Sequence, residues 1–380
     1  MSESAGGQKR VTWTELFFDL VFVFAITQVS ELLHGDHSWT GVYRALVVFV
    51  PIWGSWVGTT IHANAKDLDN PVDRLGVFAV GLCSLFMALA VPEAYGDRGL
   101  IYGAMYLLLR VILAMLVFRD TAVVVNAFSV AVVVTGPLLV AGGLLHDGWR
   151  LALWTAAAAI DLSVPRLIRR RLATVRFAAG HLPERFGLFV IIALGESIVA
   201  VGRSAEPDLL TPARLSAVAA AYALTCSLWW LYFVYSASAL RQALSAAAVQ
   251  TDIIRPVLAY AHVVLIGSII TIAVGLAEVT AHPEDHLDLS VAALLAGGCA
   301  AYLGTFGYTH WRMFRRPATV RLVGAAVCLA TLPLCTRTPA VVAVFILVVV
   351  TVLVNVAEAW AVRSARWRLA GGPPAPVLDE

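Results

Sequence analysis

The sequence predicts an all-α protein: a polytopic transmembrane bundle of about twelve helices, arranged as two parallel six-helix repeats. Three observations lead there. Hydrophobic residues make up 60% of the 380-residue chain and charged residues 14%, against about 25% charged in a soluble domain, and mean hydropathy is +0.81. Twelve apolar runs approach the roughly 20 residues that a helix needs to cross a bilayer. The first and seventh of these runs both open with Glu-x-Phe and carry acids inside a greasy segment.

Taken in order, the runs cover about 15–33, 42–63, 75–93, 99–118, 121–145, 149–168, 184–203, 211–236, 254–279, 288–311, 318–335 and 339–362. The fourth and fifth are joined only by Arg119 and Asp120, which predicts a tight turn, and the short eleventh contains Pro333. Lys9 and Arg10 precede the first run as in a signal peptide. Glu15 and Asp19 interrupt its apolar region and no small-residue cleavage site follows, so it reads as a retained span.

Charge placement tests the count. With the N-terminus in the cytoplasm, 20 of the 27 Lys and Arg residues fall in cytoplasmic segments and six in outer ones, with Arg110 inside a span. That bias satisfies the positive-inside rule and puts both termini inside. The expected divisions are an N-terminal arm at 1–14, a first repeat at 15–168, a basic linker at 169–183, a second repeat at 184–362 and a disordered tail at 363–380. Six helices is an even number, so both halves enter the membrane the same way, related by an axis along its normal. Asp73 and Arg74 at the start of the third run answer Asp252 and Arg255 at the ninth. Trp53 and Trp56 answer Trp229 and Trp230.

The membrane acids carry whatever chemistry the chain has. A charge at the bilayer centre costs about 3 kcal/mol on the lower scales, so it must pair, face water or be neutralised. Thr12-Trp13-Thr14-Glu15 fits a capping box, which accounts for Glu15 locally, and Glu184 follows Pro183 in a first turn, where a carboxylate suits the helix dipole. Asp19 lies about 9 Å along its helix, and Glu196 about 18 Å past the start of its own, near the midplane. Arg110 and Asp161 are expected at similar depth. Arg110 cannot shed its proton, and its expected partner is Asp161 or Glu196, with Glu196 favoured. Glu15, Asp19, Arg110, Asp161, Glu184 and Glu196 are the candidates for a polar pathway.

A second candidate is the loop HANAKDLDNPVDR, whose Asp67, Asp69 and Asp73 offer hard oxygen ligands suited to Mg²⁺. Its placement after the second helix looks like the Asn/Asp-rich loop of UbiA-type prenyltransferases. The five cysteines lie in apolar segments without a C-x-x-C pair, and read as buried small hydrophobes. The histidines show no ligand spacing. There is no P-loop, dinucleotide fingerprint or nucleophile elbow, and the net charge of +2 gives no reason to expect nucleic acid.

The stretches ELFFDLVFVFA, DNPVDRL, HLPERFGLFVIIALGESIVA and Tyr260-Ala261-His262 together resemble the low temperature requirement protein A (LtrA) family of bacterial membrane proteins. The resemblance implies a multi-pass protein of the bacterial inner membrane. It implies no reaction, because the family is named for a growth phenotype. Two repeats led by a Phe-rich, acid-bearing helix also resemble lysosomal-type potassium channels.

Three functions remain open at this point. One is an ion or small-solute transporter or channel, lined by Asp19, Glu196 and Arg110, with Glu15 and Glu184 gathering cations at the inner mouth. Another is a membrane-embedded enzyme on an isoprenoid or lipid diphosphate, using Mg²⁺ at Asp67, Asp69 and Asp73, or Asp19 or Glu196 as proton donor. The last is a scaffold without a site. The expected partners are the lipid bilayer and a small ion, solute or lipid-like substrate. No cofactor is expected outside the enzyme reading.

Overall fold

A computed structural model of the chain describes residues 11–66, 68, 70–119, 126–167, 177, 180–205, 211–247 and 249–369. Among these residues the fold is helical with no strand. Twelve helices follow one another: α1 Trp13–His34, α2 Trp39–Ala65, α3 Pro71–Glu93, α4 Gly99–Phe118, α5 Ala127–Leu144, α6 Asp147–Leu167, α7 His181–Ser204, α8 Pro212–Ala246, α9 Thr251–Ala281, α10 Leu289–Phe314, α11 Thr319–Cys335 and α12 Ala340–Leu369. Ten of the described helices are long and apolar enough to cross a membrane. The exceptions are α6, which carries Arg150 and Asp161, and the shorter α11. The protein is a multi-pass membrane protein.

The ends of the helices obey local chemistry. Thr12 caps α1, its hydroxyl accepting from Glu15 N while the Glu15 carboxylate accepts from Thr12 N at 2.8 Å, so the expected capping box is present. Ser38, Asn70 and Thr211 cap α2, α3 and α8 in the same manner, with Pro71 and Pro212 in the first turn. Asn126 caps α5, which therefore starts at Ala127 and not beside Asp120. The tight turn expected there involves residues 120–125, outside the described residues. The N-terminal arm to residue 10, residues 169–176 of the basic linker and the tail from 370 also lie outside them. α7 begins three residues earlier than its apolar run, at His181, and that shift matters for the site.

Alternate traversals put two sets of loops at opposite ends. At the end marked by Gly35, Arg150 donates to the carbonyls of Ala94 and Gly96, Arg214 donates to those of Thr280 and Ala281, and Ala340 N donates to Asp285 O. At the end marked by Asn70, Arg119 meets Asp73 and Asn64 meets His181.

Within the first half α1 packs on α2 and α3, α3 on α4, α4 on α5, and α6 on α2 and α5. Within the second, α7 packs on α8 and α9, α9 on α10, α10 on α11, and α12 on α8 and α11. The halves meet where α1 and α2 pack on α7 and α9. The innermost spans are α2 and α9, while α5 and α12 are the most peripheral. Leu20, Met115, Val133, Leu353 and Val356 are exposed. On a soluble protein such surface is a liability; here it faces lipid.

Candidate functional site

The interface of α1 and α7 carries polar groups at both ends and aromatic rings between them. At the Asn70 end the acids Glu15 and Asp19 lie one turn apart on one face of α1. His181 and Arg185 lie one turn apart on the facing side of α7. Arg185 Nη1 donates to Asp19 Oδ2 at 2.7 Å, and Arg185 Nε stands 3.7 Å from Glu15 Oε1. His181 Nε2 meets Glu15 Oε1 at 3.0 Å. Its other nitrogen, Nδ1, accepts from the Asn64 amide at 3.0 Å. That places the imidazole proton on Nε2, aimed at the carboxylate. Trp56 on α2 donates its indole N–H to Asp19 Oδ1 at 2.8 Å. Glu15, Asp19, His181 and Arg185 are all buried to 2% exposure or less. Two carboxylates here face one guanidinium and one imidazole.

Above this cluster the rings close the interface. Phe22 of α1 lies 6.2 Å from Phe189 of α7, which lies 4.3 Å from Trp56 and 5.4 Å from Trp53. Phe186 packs edge-on to Trp56 at 4.9 Å. Trp53 Nε1 donates to the Ala259 carbonyl, where the backbone of α9 runs through the widened turns of Ile254–Ala261. Such π-type turns free carbonyls from the helix ladder and occur often at functional positions.

Toward the Gly35 end the interface becomes polar again. Thr27 of α1 donates to Glu196 Oε2 at 2.5 Å, and Arg203 Nη2 meets Glu196 Oε1 at 3.1 Å. Arg203 also pairs with Glu31. Glu196 is 1% exposed, yet its partner Arg203 is half exposed. Beside them opens a cavity of about 210 Å³, lined by Ser30, Glu31, His34, Ala200, Arg203, Ser204, Val274 and Ala277. Thr27 and Asp19 are eight residues apart on α1, so the two polar zones are separated by about 12 Å.

The structure therefore separates the sequence candidates. Glu15, Asp19 and Glu196 share the α1–α7 interface. Arg110 does not: its guanidinium pairs with Asp161 at 3.3 Å inside the first half, and Tyr106 donates to the same carboxylate. The favoured Arg110–Glu196 pair is thus replaced by Arg110–Asp161. The reason is lateral, since α4 and α6 both flank α2 while α7 lies across it. Glu196 lies about 5 Å past the middle of α7 on the side of the Gly35 end, because α7 starts at His181. Glu184 is exposed and stands apart from the buried cluster. In the Asp-rich loop, Asp73 is buried, 2.8 Å from Arg119 and 3.5 Å from His62, while Asp67 and Asp69 lie outside the described residues.

His181 and Arg185 stand outside the sequence candidates, His181 because the histidines show no ligand spacing and Arg185 because it counts among the cytoplasmic charges. Their signal was present: His-x-x-x-Arg has the same one-turn spacing as Glu-x-x-x-Asp in the first helix, with opposite charge.

Comparisons with known proteins agree on kinship. The profile of a family described as "Bacterial low temperature requirement A protein (LtrA)" matches residues 10–356. The chain is similar to the uncharacterized protein RA0937 of Rhizobium meliloti (strain 1021), with 30% identity over 311 residues, 78% of this chain and 76% of that one. No solved structure matches it.

Proposed function

The chain belongs to the bacterial LtrA family of membrane proteins, and on that premise we propose that it carries a small cation across the membrane along the α1–α7 interface. The observation that carries this reading is the order of groups along that interface. A buried acid with a half-exposed partner adjoins a cavity at one end, an aromatic barrier follows, and a buried carboxylate–histidine–arginine cluster lies at the other. A polar group in the membrane interior is costly unless it serves a path or a partner. A pathway needs such groups accessible from each side in turn, with the barrier moving between them. Charge favours a cation: Glu31 and Glu196 face a single Arg203 at one end, and Glu15 and Asp19 face a single Arg185 at the other.

The two halves are read as a parallel repeat whose contact forms the path. Each half repeats the same order of helix partners, which supports that reading. The Asn70 end is assigned to the cytoplasm of a bacterial inner membrane, on the strength of the Lys and Arg residues in its loops. The enzyme reading at Asp67, Asp69 and Asp73 draws less support, because Asp73 is already held by Arg119 and His62.

The test is flux. Purified protein in vesicles, given inward gradients of K⁺, Na⁺ or H⁺ with matched dyes, is expected to move at least one of them, and Glu196→Gln to stop it. Absence of flux for all three cations would remove the reading and leave the buried clusters as structural joints.

A further inference from the structure

At the Gly35 end, beside the path but not part of it, three side chains with metal-ligand chemistry converge. His34 is the last residue of α1, His37 lies in the turn before α2, and Glu278 stands in the last turn of α9. One ligand atom from each lies within 4.8 Å of the other two. The two imidazoles pack edge to face at 5.5 Å. His37 Nε2 is buried and has no hydrogen-bond partner among the described residues. A buried polar atom without a hydrogen-bond partner is uncommon and calls for an explanation, a metal-ligand role being one.

We propose that His34, His37 and Glu278 form a binding site for a borderline divalent transition metal, of which Zn²⁺ is the reference member. Two imidazoles and one carboxylate are a donor set suited to Zn²⁺ and its neighbours, and unsuited to Mg²⁺ or Ca²⁺, which take oxygen ligands. Closing the three ligand atoms onto an ion at about 2.0–2.1 Å requires separations near 3.3 Å in a tetrahedron, so the side chains move inward by about 1.5 Å at most. Three protein ligands leave the fourth position for water. The acids Glu278, Asp36 and Asp288 face His37 and favour a cation.

The position gives the ion a mechanical consequence. His34 also lines the cavity that holds Glu31 and Arg203, the partner of Glu196. An ion held there ties the end of α1, in the first half, to the end of α9, in the second, at the mouth of that cavity. The site stands independently of the transport reading, since binding is measured without flux.

Isothermal titration of tag-free, chelator-stripped protein in lipid nanodiscs with ZnCl₂ at pH 7.5 tests it. The expected result is one Zn²⁺ per chain, no saturable heat with MgCl₂, and Kd weakened at least tenfold by His37→Ala or Glu278→Gln. His34 is exposed, so His34→Ala keeps the fold and carries the same expectation. His282→Ala, in the loop that follows α9, is expected to leave Kd unchanged. Wild type that binds no stoichiometric Zn²⁺, or a His34→Ala/His37→Ala protein that keeps the wild-type Kd, overturns the assignment.

Discussion

Arg185 and Asp19 meet at 2.7 Å across the α1–α7 interface with both side chains almost fully buried, and they join the first half of the chain to the second. Removing Arg185 leaves Asp19 and Glu15 as buried acids without their cation, which costs about 3–5 kcal/mol. Arg185→Met is therefore expected to lower the thermal midpoint sharply. Asp19→Leu combined with Arg185→Met restores apolar packing and is expected to recover most of that stability without recovering flux. Thermal unfolding of the purified variants beside vesicle flux separates the two effects. A double variant that regains both would make the pair a joint and nothing more.

Arg110 and Asp161 offer the contrasting case, a buried pair confined to the first half. Gly54 and Gly58 make room for it: a Cβ at Gly54 would lie 2.8 Å from Arg110 Nη2, and one at Gly58 3.1 Å from Nη1. Asp161→Asn is expected to cost about 3 kcal/mol or more, and Gly54→Ala to destabilise in the same direction by displacing the guanidinium. Flux per folded molecule is expected to stay within twofold of wild type in both. A loss of flux that outruns the loss of folded protein would return Arg110 to the pathway.

These two pairs show what the sequence could and could not convey. Helix number followed from apolar length, and the Thr12–Glu15 cap from local spacing, because both depend only on neighbours along the chain. Partners across the bundle depend on which helices adjoin. Depth along an axis placed Arg110 level with two acids, and only the packing of α4 and α6 on either side of α2 decides for Asp161. Glu15 shows both levels at once. Its capping role was legible, but its contact with His181, 166 positions away, was not. Arg185 counted among the cytoplasmic charges because it lies one residue inside the apparent start of an apolar run. The helix in fact extends back to His181 and buries both.

Topology gives an independent check. Tags inserted at 35–38 and 282–286 are expected to report the same side, and a tag after residue 369 the opposite one, labelled by a membrane-impermeant reagent. The bridge of His286 to Pro339 and the bond from Ala340 N to Asp285 O hold the 282–286 loop to the start of α12 at that end. Tags at 35–38 and 282–286 that label from different sides would break both the twelve-helix path and the parallel relation of its halves.

Glu196 differs from Asp19 in its partner. Arg203 is half exposed and can return to water when the carboxylate is lost, so Glu196→Gln is expected to cost less than about 1 kcal/mol. The amide oxygen still accepts from Thr27. Flux is nevertheless expected to fall at least tenfold, because the charge beside the cavity is gone while the packing stays. Unfolding midpoint and initial flux rate, measured on one preparation, check this. Normal flux in a fully stable Glu196→Gln protein would exclude the carboxylate from the path.

Phe189 is the ring on which the barrier depends. It is buried, touches Trp53, Trp56 and Phe22, and stands on α7 between Arg185 and Glu196. Truncation to alanine removes the ring that fills the gap between the two polar zones. The expected stability loss is about 3–5 kcal/mol, as for other large-to-small core changes. The same cavity would let water approach both carboxylate groups at once, and that predicts a second effect of opposite sign: a passive cation leak, faster than wild-type flux and no longer dependent on Glu196. Phe189→Leu keeps most of the volume and is expected to show neither effect strongly. The decisive measurement is flux through Phe189→Ala with and without Glu196→Gln, at a temperature where the protein remains folded. A folded Phe189→Ala protein that is slower than wild type, with no leak, would mean that the rings support the fold and do not close a path.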